Sequence, residues 1–208
     1  LFRHLITFFI FVIAVMSFYY QIKIIFNTSF LGFVSVVFLI LSPRFFAESF
    51  YNCKDIMFMN FVCIGMLSLT KVNQSLNYKK LFVHSLICAA AINMRIMGVF
   101  FIPLTFYIVL VNFLNNDKKI FLNLKYFFFY LFFTLLFIYL TFPFLWESPI
   151  DNFIEVFKNM SKFPASSKGP SMLFMSQFIS VIDLPWYYIP IWAIITTPLL
   201  IIFFFLIG

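Results

Sequence analysis

Charged residues are scarce in this sequence. Only 10% of the 208 residues are charged, whereas 64% are hydrophobic, and an ordinary soluble domain carries about 25% charged residues. So few charges cannot cover a water-facing surface, which excludes a soluble domain and predicts an integral membrane protein. Glycine is scarce too, at five residues, while phenylalanine reaches 36. Helix contacts built on small residues, which are common in membranes, are therefore not the expected packing here.

Several chemical motifs are absent. The three cysteines, Cys53, Cys63 and Cys88, have no metal-ligand spacing and predict no disulfide framework. No glycine-rich phosphate loop and no nucleophile motif is present, and the basic residues are too scattered for a nucleic-acid surface. The sequence therefore predicts no nucleic-acid partner and identifies no cluster of metal ligands. It identifies no certain cofactor and leaves a divalent metal open.

The termini predict a fragment of a longer protein. The chain begins at Leu1 and stops at Gly208 within an apolar run. Its first segment lacks the basic, apolar, small-residue order of a cleavable signal, so we keep that segment as a membrane span. Residues 1–208 are expected to form a single transmembrane domain.

Long apolar runs predict about seven membrane segments. A bilayer core about 30 Å thick needs roughly 20 helical residues. Five spans meet this requirement near residues 5–21, 24–42, 56–72, 126–145 and 189–208. The apolar stretch 81–114 is interrupted around Asn93, Arg95, Gly98 and Pro103, and we expect a hairpin of two helices that turns near Arg95. The predicted fold is an all-α, polytopic helical bundle.

Lysines predict the orientation of this bundle. The connections that carry Lys23, the lysines of 71–80 and the lysines of 118–125 hold one acid, Asp117. By the positive-inside rule these connections are cytoplasmic. The segments 43–55 and 146–188 are then exoplasmic loops. They hold the other acids of the chain, which are Glu48, Asp55, Glu147, Asp151, Glu155 and Asp183.

The loop 146–188 is long enough to be functional or separately folded. Near its start, Ile150, Phe153, Ile154 and Phe157 follow helical spacing, which predicts an amphipathic helix lying on the outer membrane surface. At its end, the aromatic segment LPWYYIPIW is typical of an interfacial belt.

Asp55 is the main candidate for chemistry. It follows Lys54 at the start of the third span, with Arg44 and Glu48 a short distance upstream. A carboxylate beside fixed cations at the membrane surface suits a reaction on a lipid-linked anion, since it takes a proton from an acceptor hydroxyl while the cations stabilise a phosphate. Aspartate is also a preferred N-cap, so both a capping and a catalytic role stay open.

Four further polar residues are expected on the outer side. Arg95 lies in an apolar hairpin, where an ionisable residue indicates function, although an arginine can also extend to the headgroups. Arg3 and His4 lie at the outer end of the first span, and His4 alone is best interpreted as an interfacial polar residue. Glu147 either faces the same cavity as Asp55 or is a solvated loop carboxylate.

The segment 41–58, LSPRFFAESFYNCKDIMF, resembles the second outer loop of bacterial multi-span glycosyltransferases. These enzymes are of the dolichyl-phosphate-mannose protein mannosyltransferase kind, which is the family 39 group and has a C-type membrane fold. Its members have a similar Ser-Pro-Arg followed by Asn-x-Lys-Asp. The resemblance covers nearly the whole chain in patches, including LFRHLITFFIF, INMRIMGVFFIP, and the run from PFLWESPIDNFIEVFKNMSKFP through FISVIDLPWYYIPIWAIITTPLL.

The resemblance implies an enzyme of the bacterial cytoplasmic (inner) membrane with an exoplasmic active face. Such an enzyme transfers a sugar, with inversion, from a polyprenyl-phosphate donor to a protein, lipid or glycan acceptor. Asp55 would be the catalytic acid of the second outer loop. The other implied site residues are Lys54, Arg44 and Arg95 for the carrier phosphate, Trp186, Tyr187 and Tyr188 at the cavity mouth, and Arg3 and His4 just after the first outer loop.

The sequence departs from the family in ways that limit this expectation. The principal catalytic acids of the family lie in a first outer loop that would precede Leu1. We therefore expect the N-terminal span and this loop to be missing and the chain alone to be inactive. Met57 also replaces a proline that is common in the family, and FPASSKGPSMLFM differs from the usual tryptophan-containing version, so the donor and the acceptor stay open.

Two alternatives from other functional classes remain. A transporter or flippase of lipid-linked saccharides is expected to place polar groups near the midplane of broken helices and to show repeated halves. In this sequence most charges gather at one face and no repeat is visible. In a non-catalytic scaffold, Asp55 and Arg95 would be dispensable.

Overall fold

The computed structural model describes residues 2–115, 120–161, 171–180 and 183–207. Asp117, Lys118 and Lys119, which entered the orientation argument, lie outside the described residues. The structure is about 82% helical and has two compact units, Leu1–Pro149 and Ile150–Gly208. The single transmembrane domain expected over residues 1–208 stays a prediction.

The first unit is built of helices joined by short connections. Its helices are α1 (Phe2–Phe26), α2 (Ser29–Leu41), α3 (Pro43–Glu48), α4 (Asp55–Gln74), α5 (Tyr78–Met94), α6 (Phe101–Asn115) and α7 (Ile120–Thr141), with 3₁₀ turns at Ile96–Phe100 and Pro143–Leu145. The main packing contacts join α4 with α1 and α5, α5 with α7, and α1 with α2. The break between α5 and α6 lies at the predicted turn near Arg95.

The structure contains membrane-length helices but does not confirm seven spans. Among the described residues, α1, α4 and the part of α7 from Leu124 to Thr141 are long and apolar enough to cross a membrane. They match the spans predicted near 5–21, 56–72 and 126–145. The other predicted segments of the first unit are shorter, since α2, α5 and α6 have 13, 17 and 15 residues against the roughly 20 that a crossing needs.

The predicted span 24–42 runs through a helix boundary. Asn27 has a φ of 53°, a left-handed conformation that asparagine tolerates and that commonly ends a helix. Thr28 is extended, and Ser29 begins α2. As a consequence, Lys23 lies in the last turn of α1 rather than in a connecting loop. A cation there still interacts favourably with the helix dipole.

Buried residues of α4, α5, α6 and α7 form the core of the first unit. This cluster consists of Val72, Leu81, Cys88, Ala91, Phe101 and Tyr130. Gly65 allows a close contact in it, because a Cβ added there would lie 2.5 Å from the Phe101 ring. Packing in this core holds α4 against α6. It thereby sets the distance between the first residue of α4 and the α5–α6 turn.

Two polar ends of the first unit follow from the helix directions. At one end, Lys80 Nζ donates to the carbonyl of Lys71 at 2.9 Å, and the rings of Tyr78 and Tyr126 lie 4.6 Å apart. We call this end, where α4 finishes and α5 and α7 begin, the lysine end. The opposite end, where α4 begins and α5 and α7 finish, is the Asp55 end. The separation of Lys71, Lys79 and Lys80 from Asp55 that was predicted from charge counts is thus present in the first unit.

The second unit carries the predicted surface helix and a small sheet. Its elements are α8 (Pro149–Ser161), β1 (Ser171–Phe174), β2 (Gln177–Ser180), α9 (Tyr188–Thr196) and α10 (Leu199–Ile207). The amphipathic helix expected after residue 149 is therefore confirmed as a helix, whereas its position on a membrane stays a prediction. The Pro164 to Pro170 segment expected to end this helix lies outside the described residues.

The β-hairpin was not foreseen in the all-α prediction. Ser171 pairs with Ser180 and Phe174 with Gln177 in an antiparallel register. Between the strands, Met175 and Ser176 have φ values of 47° and 66°, which is the backbone of a tight hairpin turn. The sequence lacks the Asn-Gly or Asp-Gly pair that marks such turns.

The last predicted span, 189–208, is not one continuous helix. It consists of α9 and α10, which are bent by 108° relative to each other. Pro198 causes the break, since proline has no backbone N–H and disfavours a helical conformation in the preceding residue. Thr197 is accordingly extended, with φ −87° and ψ 131°. The pair represents a broken span or a re-entrant loop, which raises the candidate spans to four if it is counted.

Candidate functional site

The connection from α3 to α4 is organised by Asn52. Its Oδ1 accepts hydrogen bonds from the backbone N–H groups of Lys54 at 3.1 Å and Asp55 at 2.9 Å. These are N–H groups that a helix start leaves without a helical partner. The N-cap position of α4 is Lys54 and not Asp55, and Asn52, two residues earlier, caps the helix start by accepting these N–H groups.

The Asp55 carboxylate binds two side chains. Its Oδ1 accepts a hydrogen bond from Arg95 Nη2, which makes an ion pair, and its Oδ2 accepts one from Asn52 Nδ2 at 3.3 Å. The side chains of Asp55 and Arg95 are 58% and 47% exposed. Exposed ion pairs of this kind contribute about 0–1 kcal/mol to stability, so this pair adds little to folding stability.

Glu48 and Arg44 extend this contact along α3. Arg44 Nε donates to Glu48 Oε1 at 3.1 Å, and Asn52 Nδ2 donates to Glu48 Oε2 at 3.0 Å. The polar side chains thus form one chain, in the order Arg44, Glu48, Asn52, Asp55 and Arg95. We call it the Asp55 network. It joins the segment 43–55 to the α5–α6 turn, and the exposed Lys54 lies beside it.

The local fold of the α5–α6 turn places Arg95 opposite Asp55. Arg95 is extended after the last residue of α5, and its carbonyl accepts the N–H of Gly98 at 2.8 Å. A Cβ added to Gly98 would lie 2.7 Å from the backbone nitrogen of Ile92. Only glycine allows this close approach, so the turn folds back onto α5 and holds the backbone of Arg95 at the Asp55 end.

Arg3 and His4 lie at the same end of the first unit. The Thr7 hydroxyl donates to the carbonyl of Arg3 at 3.0 Å and lies 3.4 Å from Cys53 Sγ. The first turn of α1 is therefore next to the residues that precede Asp55. Among the described residues, the Nδ1 of His4 is buried without a hydrogen-bond partner, and the interfacial position expected for His4 stays a prediction.

Glu147 is also at the Asp55 end. Asn93 Nδ2 donates to Thr141 Oγ1, which joins the last turns of α5 and α7. Trp146 Nε1 then donates to the carbonyl of Tyr139 at 2.7 Å, so the chain after α7 folds back onto it. Glu147 follows directly and is exposed. Its role as a ligand of a substrate stays a prediction.

The aromatic residues expected at the cavity mouth belong to the second unit. Trp186 is 85% exposed, and the Tyr187 ring lies 6.0 Å from that of Phe174 in β1. Tyr188 packs edge-on against the same ring at 5.1 Å. These contacts hold the start of α9 against the β-hairpin. That Trp186 and Tyr187 contribute to the Asp55 site stays a prediction.

Two members of the network, Glu48 and Asn52, were not among the predicted site residues. A signal for them exists in the sequence. Glu48 and Asn52 are four residues apart, the spacing at which side chains meet along a helix. Asn52 also precedes Asp55 by three residues, the spacing of a capping side chain and the N–H that it binds. The Asn-x-Lys-Asp segment therefore encodes the capped start of α4 as well as the carboxylate.

A second polar cluster is buried between α4, α5 and α6. The fully buried His84 has its Nδ1 2.5 Å from Ser68 Oγ and its Nε2 3.0 Å from Thr105 Oγ1. Both hydroxyls also donate to carbonyls of their own helices, those of Gly65 and Phe101. The cluster ties three helices together. Among the residues that the structure describes, no group of three His, Cys, Asp or Glu side chains is arranged to hold a metal ion.

Comparison with known proteins gives no match: no family model, no curated protein and no solved structure matches this chain.

Proposed function

We propose that this chain is part of a membrane glycosyltransferase that takes a sugar from a polyprenyl-phosphate donor. The acceptor is a hydroxyl of a protein, lipid or glycan on the exoplasmic side of a bacterial cytoplasmic membrane. The C-type fold suggested by the resemblance of segment 41–58 belongs to this proposal. Its main support is the Asp55–Arg95 contact.

This contact brings together groups from distant parts of the sequence. Arg95 and Asp55 are 40 residues apart, and each is half exposed rather than buried in the core. A guanidinium has five N–H donors, so one bond to Asp55 leaves donors for an anion. Arg44, Lys54 and Arg95 together supply the positive charge that a lipid-linked phosphate requires.

The proposed reaction assigns a separate role to each type of charge. The acceptor oxygen attacks the anomeric carbon of the donor sugar, and its proton passes to a carboxylate. The bond from the anomeric carbon to the phosphate oxygen breaks with its electron pair, so polyprenyl phosphate leaves as an anion. Asp55 is the carboxylate of this chain that serves the reaction. The cations of Arg44, Lys54 and Arg95 stabilise the leaving phosphate.

The two ends of the first unit support the proposed orientation of the protein. Lys71, Lys79 and Lys80 lie at the lysine end, and a cytoplasmic location for these residues agrees with the positive-inside rule. The Asp55 end then opens on the exoplasmic side, where a lipid-linked donor presents its sugar. The bacterial membrane and this topology are parts of the proposal.

Replacement of Asp55 tests the proposed chemistry. In the full-length protein, we expect Asp55→Asn to lower transfer of a radiolabelled sugar from a polyprenyl-phosphate donor at least about 100-fold, because general acid or base groups contribute about 10²–10⁴-fold. The matched control is Asp151→Asn, the same change in the first turn of α8, which we expect to keep transfer within about twofold. Undiminished transfer by Asp55→Asn removes Asp55 from the mechanism.

The second candidate is a transporter or flippase of lipid-linked saccharides. The 108° bend between α9 and α10 favours it, because broken helices form the substrate sites of many transporters. Neither α9 nor α10 carries a charged residue, which is why we place this function second. Movement of a labelled lipid-linked sugar across sealed vesicles, without a new glycosidic bond, would establish transport instead of transfer.

A further inference from the structure

The side chain of Asn52 uses its complete hydrogen-bonding capacity. The oxygen accepts from the N–H groups of Lys54 and Asp55, at 3.1 and 2.9 Å. The amide nitrogen donates to Glu48 Oε2 at 3.0 Å and to Asp55 Oδ2 at 3.3 Å. An asparagine side chain has two acceptor positions and two N–H donors, and all of them are engaged here.

This arrangement fixes the orientation of the amide. If the amide were rotated by half a turn, its oxygen would face the two carboxylates and its nitrogen would face the two backbone N–H groups. Four favourable contacts would become four unfavourable ones. The neighbours therefore select one orientation, in which Asn52 keeps the carboxylates of Glu48 and Asp55 close to each other.

Of the two carboxylates that Asn52 binds, Glu48 is held more firmly. Its side chain is only 20% exposed and is also held by Arg44 Nε. Asp55 is the more exposed carboxylate, at 58%, and it reaches from Asn52 to Arg95. The amide of Asn52 thus connects a carboxylate held on α3 to the carboxylate that faces the α5–α6 turn.

We propose that Asn52 is a positioning residue that holds the Asp55 carboxylate toward Arg95 for the sugar-transfer reaction. The part of this proposal that concerns catalysis rests on the function proposed above. Asn52 acts through Asp55 and not on the substrate. An oxygen in place of the amide nitrogen retains the cap of α4 but repels both carboxylates, so the two roles of Asn52 can be separated by one substitution.

Asn52→Asp makes this separation in the full-length protein. The new side chain keeps an oxygen for the N–H groups of Lys54 and Asp55, so we expect the cap to persist. It brings a further negative charge next to Asp55, so we expect transfer to fall about tenfold or more. Because a neighbouring like charge disfavours a second ionised carboxylate, we also expect the remaining transfer to require higher pH.

Asn77→Asp is the matched control. Asn77 caps α5 at the lysine end by accepting the N–H of Lys79 at 3.0 Å. The same substitution there retains a capping oxygen beside two lysines. We expect transfer within about twofold of the unchanged protein and an unaltered pH profile. Equal losses in the two variants, or full transfer with an unaltered pH profile by Asn52→Asp, would overturn the positioning role.

A stability measurement tests the inference without relying on catalysis. If Asn52 acts on Asp55, then Asn52→Asp should lower the Tm less in the presence of Asp55→Asn than alone, because the new carboxylate then faces an amide. We expect this rescue to be about 2 °C or more. Additive Tm changes overturn the positioning role even if transfer is found. Rescue in a protein that transfers no sugar supports the positioning role and refutes the glycosyltransferase.

Discussion

The two ends of the first unit use similar residues in different ways. At the lysine end, Asn77 accepts the N–H of Lys79 and Lys80 donates to the carbonyl of Lys71. These contacts satisfy backbone groups that helix termini leave open. The contacts between side chains beside them, Lys80 with Ser75 and Asn112 with Asn73, join no cation to a carboxylate. At the Asp55 end, Asn52 satisfies backbone groups as well, but it also binds Glu48 and Asp55.

The difference shows which end is the better candidate for a functional site. A bond from a side chain to a helix terminus holds the fold, and a substrate cannot replace it without disturbing the helix. A contact between two half-exposed side chains, such as Asp55 and Arg95, can be exchanged for a ligand of matching charge. The network of side chains at the Asp55 end is therefore the better candidate for binding an anion.

Of the substitutions that test the comparison between the two ends, Arg95→Ala is expected to have the largest effect. We expect kcat/KM for the polyprenyl-phosphate donor to fall about 100-fold in the full-length protein, as when a charged donor to a developing anion is removed. Arg95→Lys should recover part of this loss, since it keeps the charge but not the planar fork. If Arg95→Ala has no larger effect on transfer than Lys80→Ala, the functional distinction between the ends fails.

A second substitution tests whether the α5–α6 turn must fold tightly onto α5. Gly98→Ala puts a Cβ 2.7 Å from the backbone nitrogen of Ile92, and we expect a loss of about 1–3 kcal/mol in unfolding free energy. The control is Gly32→Ala, whose Cβ would lie 3.0 Å from the Tyr19 ring and carbonyl. Thermal unfolding in detergent measures both variants. An equal or greater loss with Gly32→Ala would contradict this account of the turn.

The buried cluster of α4, α5 and α6 should affect stability without affecting chemistry. His84→Leu removes contacts with the hydroxyls of Ser68 and Thr105, which keep their bonds to helix carbonyls. We expect a loss of about 1–2 kcal/mol, as for hydrogen bonds between membrane helices. Transfer per folded molecule should stay within about twofold. A specific loss of transfer would show that function is not limited to the Asp55 end.

The smallest effect is expected at the lysine end. Lys80→Ala removes the ammonium that binds the carbonyl of Lys71 at the end of α4. Because this contact is exposed, we expect less than about 1 kcal/mol of unfolding free energy to be lost. Hydrogen exchange of the last turn of α4 would measure the local effect. A loss comparable to that of Gly98→Ala would remove the contrast between the two ends.

Composition and charge predicted the general features of this fold. The scarcity of charge predicted membrane helices, and three of them, in α1, α4 and α7, match predicted spans. The separation of lysines from Asp55 also follows from the sequence, because it depends only on where charges stand relative to apolar runs. The α5–α6 break was predictable, since Arg95, Gly98 and Pro103 interrupt an apolar run.

Features that depend on backbone conformation were harder to predict. The end of α1 depends on the left-handed conformation of Asn27. The residues around Asn27 are so apolar that the sequence predicted one continuous span there. The Met175–Ser176 turn contains no glycine, so the sequence did not indicate a hairpin there. The bend at Pro198 was visible in the sequence, but apolar composition on both sides outweighed it in the prediction of one span.

The candidate site was predictable as a set of charges but not as a network. Arg44, Lys54 and Asp55 were identified because they are close in sequence. The contact of Asp55 with Arg95 depends on packing of α5 against α4, which composition does not define. The role of Asn52 was missed because a neutral amide carries no charge signal, although its spacing to Glu48 and Asp55 was informative.

Cysteine accessibility gives the most direct test of the central claim that the Asp55 end faces the exoplasmic side and the lysine end faces the cytoplasm. Tyr51 and Gln74, both exposed, lie at these two ends and can each be replaced by cysteine after removal of Cys53, Cys63 and Cys88. We predict that a membrane-impermeant maleimide labels Tyr51→Cys in intact cells and labels Gln74→Cys only after the membrane is opened. The reverse pattern would contradict the proposed site.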